Sequence, residues 1–85
     1  MKNGNRRKEY VQVVALFTPE GYLIPQTVVL GNGRRFTIDK VLDIRRAATQ
    51  RPGMPPLQYT CLIWGQRCFL FYEDNSRWFT MLRAA

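Results

Sequence analysis

The chain has 85 residues with 46% hydrophobic and 13% aromatic content, enough apolar material for one small folded domain, which excludes a disordered chain and a multidomain one. Its net charge of +7 favours anionic partners, while the complete lack of histidine removes the usual acid–base residue and metal ligand. No run approaches the roughly 18 apolar residues of a membrane span, and the basic start leads into an alternating segment rather than an apolar leader core, so a cytoplasmic location without membrane contact is expected.

Residues 1–8 hold Lys2, Arg6, Arg7 and Lys8 and read as a flexible basic arm, which leaves residues 9–85 as a single domain with a balance of +3. Glu9 to Phe17 is dense in β-branched and aromatic residues and reads as a strand. Thr18-Pro19-Glu20-Gly21 matches a type I turn, with Pro second and Gly fourth. Tyr22 to Leu30 is a second strand, in which Pro25 requires an edge, a bulge or a bend because it has no N–H for a ladder. Gly31-Asn32-Gly33 is a further turn, and Arg34 to Ile38 begins a third strand.

Residues 39–49 admit two readings. Ile38, Val41, Leu42 and Ala48 fit one side of a helix with Arg45 intruding, whereas Val41 and Ile44 fit a bent, kinked strand. Arg51-Pro52-Gly53-Met54-Pro55-Pro56 is a surface loop in which neither a helix nor a central strand continues. Three apolar runs follow, Leu57–Trp64, Arg67–Tyr72 and Arg77–Leu82, with turns expected at Gly65-Gln66 and Asp74-Asn75-Ser76. They predict an antiparallel meander. The expected fold is all-β, five or six strands closing into an SH3-like or similar small barrel.

A turn at Gly65-Gln66 sets Trp64 opposite Arg67, Ile63 opposite Cys68 and Cys61 opposite Leu70. Cys61 and Cys68 are then diagonal neighbours, at Cα separations above about 7 Å and outside disulfide reach. Both thiols read as core residues. In this meander Tyr59, Cys61, Ile63, Cys68, Leu70 and Tyr72 share one face, and Leu62, Trp64, Arg67, Phe69 and Phe71 share the other. With both faces apolar, the strands need cover on two sides, from the N-terminal hairpin, a long loop or a second copy.

Enzymatic chemistry fails on inventory. The six carboxylates, Glu9, Glu20, Asp39, Asp43, Glu73 and Asp74, have no spacing that marks an acid–base pair or a metal cage, and neither cysteine has a base beside it in sequence. Gly31-Asn32-Gly33-Arg34-Arg35 lacks the lysine and hydroxyl of a phosphate loop and reads as a plain turn. No cofactor is expected. Basic residues interleaved with aromatics instead suggest a groove for single-stranded nucleic acid, with Arg34, Arg35, Arg45, Arg46 and Arg67 on phosphates and Trp64 and Trp78 stacking on bases. Tyr22, Tyr59 and Tyr72 are further candidate rings. The competing reading makes the rings core and the arginines a solvated face. A protein-interaction module, homodimeric or paired with another protein through an edge strand or aromatic groove, is the alternative function.

The run Gly33-Arg34-Arg35-Phe36-Thr37-Ile38-Asp39-Lys40-Val41-Leu42-Asp43, followed by Tyr59–Gly65, Phe69–Tyr72 and Arg77-Trp78-Phe79, is similar to a small β domain of unassigned activity appended to, or encoded near, some bacterial Y-family (translesion) DNA polymerases. The resemblance spans about residues 31–81. It implies an all-β accessory module near DNA repair or replication, with a DNA polymerase as a partner, and brings no catalytic residues with it.

Overall fold

The computed structural model describes residues 6–48 and 52–83. Seven strands make up the fold: β1 (Arg6–Phe17), β2 (Leu23–Val29), β3 (Arg35–Thr37), β4 (Lys40–Arg46), β5 (Leu57–Ile63), β6 (Gln66–Tyr72) and β7 (Trp78–Arg83). Among the described residues there is no helix. Residues 40–46 are therefore strand. The antiparallel all-β class holds, but the strand count is seven rather than five or six, because the stretch expected to be one kinked strand divides at Ile38-Asp39.

The strand order is β3-β2-β1-β7-β6-β5-β4, with every pairing antiparallel. β3 and β4 are consecutive in the chain yet lie at opposite ends of that order. The Ile38 N–H donates to the Gln26 carbonyl beside β3 at 2.9 Å, and the next N–H, of Asp39, donates to the Leu62 carbonyl on β5 at 2.8 Å. Two adjacent residues thus link the two edges, which forces the sheet to curl. β1 spans the other side of the curl: Arg6–Val11 pair with β7 and Gln12–Phe17 pair with β2. Arg6, Arg7 and Lys8, expected in the flexible arm, are consequently strand residues along β7. Residues 1–5 of that arm lie outside the described residues.

Proline and the bulges fit local expectation. Val14 pairs with Thr27 and Ala15 with Pro25, so Gln26 is the extra residue of a bulge that absorbs the missing N–H of Pro25. A second bulge, at Leu42, lies between the pairs Val41–Cys61 and Asp43–Thr60. Three hairpins close in one manner, with the first and fourth turn residues bonded: Gly21 N–H to Thr18 O, Gly33 N–H to Leu30 O and Ser76 N–H to Glu73 O. In each the fourth residue has positive φ, at 95°, 86° and 67° respectively.

The inner face of the curl holds the core. Val28, Ile38, Tyr59, Cys61, Leu70 and Trp78 are buried against one another, and Trp78 lies between Tyr59 at 5.3 Å and Tyr72 at 4.8 Å. The Tyr59 hydroxyl donates to the Leu23 carbonyl at 2.6 Å, satisfying a polar group that burial would otherwise penalise. The outer face is covered only in part. Phe79 is buried there beneath its stacked neighbour Phe71 (4.9 Å), the edge of Tyr10 (5.9 Å) and the Lys8 ammonium (4.5 Å), while Phe69 stays 45% exposed.

Candidate nucleic-acid interface

The β5–β6 hairpin turns at Trp64-Gly65, not at the expected Gly65-Gln66. Ile63 pairs with Gln66, Leu62 with Arg67 and Cys61 with Cys68. Trp64 and Gly65 both have positive φ, 53° and 75°, the signature of a type I′ turn, whose twist matches that of the flanking strands. Both registers send the same side chains inward, so hydrophobic patterning alone does not separate them. Cys61 and Cys68 are accordingly directly opposed rather than diagonal, and the expectation that they are out of reach of each other is overturned.

A bulky side chain in the left-handed region is an outlier, costing about 1–2 kcal/mol against Gly or Asn. At this tip the indole is also 76% exposed. Two contacts fix it. The Trp64 backbone N–H donates to Asp39 Oδ2 at 2.9 Å, tying the tip to the β3–β4 junction, and the ring meets Phe36 at 5.7 Å in an edge geometry. Arg34 lies 5.3 Å from the other partner of this contact, the Phe36 ring, and its backbone N–H is held by Asn32 Oδ1 at 3.0 Å. Arg34, Phe36 and Trp64 thus form one basic-aromatic cluster at the end of the sheet.

Cross-strand register arranges the outer face in rows. Lys40, Leu62 and Arg67 form the row nearest the tip, then Asp43, Thr60 and Phe69, then Arg45, Gln58, Phe71, Phe79 and Tyr10. Arg45 and Arg67 flank a shallow cleft of about 480 Å³ whose floor includes Thr60, Gln58 and the exposed Phe69. Within it Arg45 donates to Asp43 Oδ2 at 2.6 Å, a contact that raises the guanidinium pKa further, so part of its charge is already answered.

The sequence candidates therefore separate. Trp64 and Arg34 each contact Phe36, and Arg67 and Arg45 share the cleft on the adjoining face. Arg35 lies at the start of β3, one position from Phe36, and points to the opposite side of that strand. Arg46 is a structural clamp, donating to the Pro55 carbonyl at 2.8 Å and closing the loop before β5. Trp78 is 8% exposed in the core and is no stacking platform, which corrects the expectation for it. Tyr59 is core as well, and burial pushes its hydroxyl pKa up. Phe36, Phe69 and Lys40 join the surface without having been singled out, since the curl of the sheet brings Phe36 to Trp64 and register sets Lys40 and Phe69 near Arg67.

Beyond this surface, Glu73 is held by Lys8 at 3.0 Å and by the Tyr10 hydroxyl at 3.0 Å. Burial alone would raise the Glu73 pKa, but these hydrogen bonds outweigh it and keep the carboxyl below its ordinary range. Among the described residues there is no group of three or more metal-ligating side chains and no helix long and apolar enough to cross a membrane. Comparison with protein-family models, curated proteins and solved structures finds no match.

Proposed function

We propose that this chain is a non-enzymatic module that binds single-stranded nucleic acid, an accessory to DNA repair or replication built on an SH3-like closing of the curled sheet. The observation that carries the reading is Trp64, placed in a left-handed backbone conformation and 76% exposed beside Phe36 and Arg34. A hairpin tip selected for stability would hold Asn or Gly, and strain kept at one exposed ring is best explained by what the ring contacts. In this reading Trp64 and Phe69 stack on bases, and Arg34, Lys40 and Arg67 neutralise phosphates. A Y-family polymerase as partner is part of the same proposal and rests on the sequence resemblance.

Fluorescence anisotropy with a labelled single strand of about 20 nucleotides tests it, since removing one stacking ring costs about 1–3 kcal/mol, or roughly 5- to 150-fold in affinity. Trp64→Ala is expected to fall in that range, and three neutralised phosphates give a slope of log K against log salt near −2. An undetectable complex at low salt, or a flat salt response, ends the reading.

A second reading, a protein-interaction surface, has its own support. Val14, Leu16, Phe17 and Tyr22 on the β1–β2 hairpin are 47%, 50%, 70% and 62% exposed, apolar side chains outside the cluster of Arg34, Phe36 and Trp64. Concentration-dependent sedimentation that disappears in Leu16→Lys would favour it.

A further inference from the structure

From the register we infer that Cys61 and Cys68 form an oxidative modification site, a cross-strand dithiol that a peroxide converts to a disulfide. Cys61 and Cys68 are partners on adjacent antiparallel strands, and directly opposed residues project to the same face. Their Cα atoms are then about 4.5–5.5 Å apart, within the 4.4–6.8 Å range that disulfides span. Both side chains line one apolar cavity of about 240 Å³, together with Val28, Ile38, Ile63 and Leu70. Neither thiol is bonded to another cysteine.

The two thiols differ in access. Cys68 is partly exposed, whereas Cys61 is 1% exposed. Cys68 is therefore the site of first attack. Its sulfur bonds to one peroxide oxygen, the O–O bond breaks, and a sulfenic acid and one water result. The Cys61 sulfur then displaces the sulfenic hydroxyl as a second water, forming the S–S bond. Two thiols and one hydrogen peroxide give one disulfide and two waters, with the peroxide taking both electrons.

Burial, with a smaller contribution from Cys68, pushes the Cys61 thiol up to about 11, so little of it is thiolate near neutrality and closure speeds as pH rises. Directly opposed Cβ atoms sit about 4.5–5.5 Å apart against about 3.8 Å in a relaxed disulfide, so the strands must draw together. Strained bonds of this kind are readily reduced, which suits a reversible mark in a reducing compartment.

The test uses the full-length reduced protein and dilute hydrogen peroxide, followed by intact mass and thiol alkylation after denaturation, so its outcome is independent of any nucleic acid. Loss of two hydrogens, disappearance of both alkylatable thiols, recovery by dithiothreitol, and closure that accelerates about tenfold per pH unit between about pH 7 and 9 are expected. In Cys61→Ala the sulfenic acid on Cys68 persists and is trapped by dimedone. A disulfide-linked dimer in place of the internal bond, overoxidation of Cys68 with Cys61 still free, or two unreacted thiols would each overturn the assignment.

Discussion

Trp78 and Trp64 occupy opposite extremes of this small molecule. Trp78 is 8% exposed, its indole between Tyr59 and Tyr72 on the inner face of the sheet, and Trp64 is 76% exposed at a hairpin tip with Phe36 in edge contact. One ring supplies packing energy to the fold, while the other occupies a strained backbone position and buries little. The contrast shows that in an 85-residue sheet the role of an aromatic follows from its strand face and turn position, not from its residue type or charged neighbours.

Removing the rings sharpens the contrast most. Trp78→Ala deletes a core side chain and is expected to cost about 3–5 kcal/mol, enough to unfold most of a domain this small, as read by urea denaturation. Trp64→Ala should change stability by less than about 0.5 kcal/mol in either direction. Equal losses for the two variants would erase the distinction.

The inner face also carries a pH dependence. The folded-state pKa of Cys61 is raised by burial to about 11, so its neutral form stabilises the fold fully below the unfolded thiol value and that contribution is lost as pH rises through about 9 to 11. Tyr59, also raised by burial, adds to the same alkaline loss. Cys61 alone gives a fall on the order of 2 kcal/mol between about pH 8 and 11 in denaturant titrations, and Cys61→Ala should remove that part. A stability curve with no such fall contradicts the burial of these groups.

Trp64→Asn separates structure from function at the tip. Asn tolerates the left-handed conformation, so the variant should gain about 1 kcal/mol in stability while losing the stacking ring and with it single-strand affinity. Gains in both quantities would remove Trp64 from any binding role. The smallest effect belongs to the outer-face cap. Lys8→Met breaks the exposed Lys8–Glu73 pair and should cost about 0.2–1 kcal/mol, diminishing at high salt.

Much of this architecture is legible residue by residue. Alternation in residues 57–72 places Tyr59, Cys61 and Leu70 on the buried face, Pro25 falls at a bulge, and the Thr18–Gly21 turn has the expected bond. The hairpin register is not legible, because both candidate turns keep the same faces, and the choice rests on backbone twist at Trp64-Gly65. The same ambiguity hid the opposed cysteines and the row Lys40, Leu62, Arg67. Nor does Arg77-Trp78-Phe79 announce which ring turns inward, since neighbouring aromatics leave no alternation to read. Pairing of Tyr72 with Trp78 settles it.

By itself the sequence determined the β character of the chain outside residues 39–49, most of its short turns and the two-sided apolarity of its last strands, because these follow from period-two patterning and from the φ preferences of Gly and Pro, which are local. Only the tertiary structure decided how the sheet curls, how β1 is shared between β7 and β2, and which arginines and rings meet. Those depend on hydrogen bonds between residues remote in the chain, such as Ile38 to Gln26 and Asp39 to Leu62, and on a register that side-chain periodicity leaves free to shift.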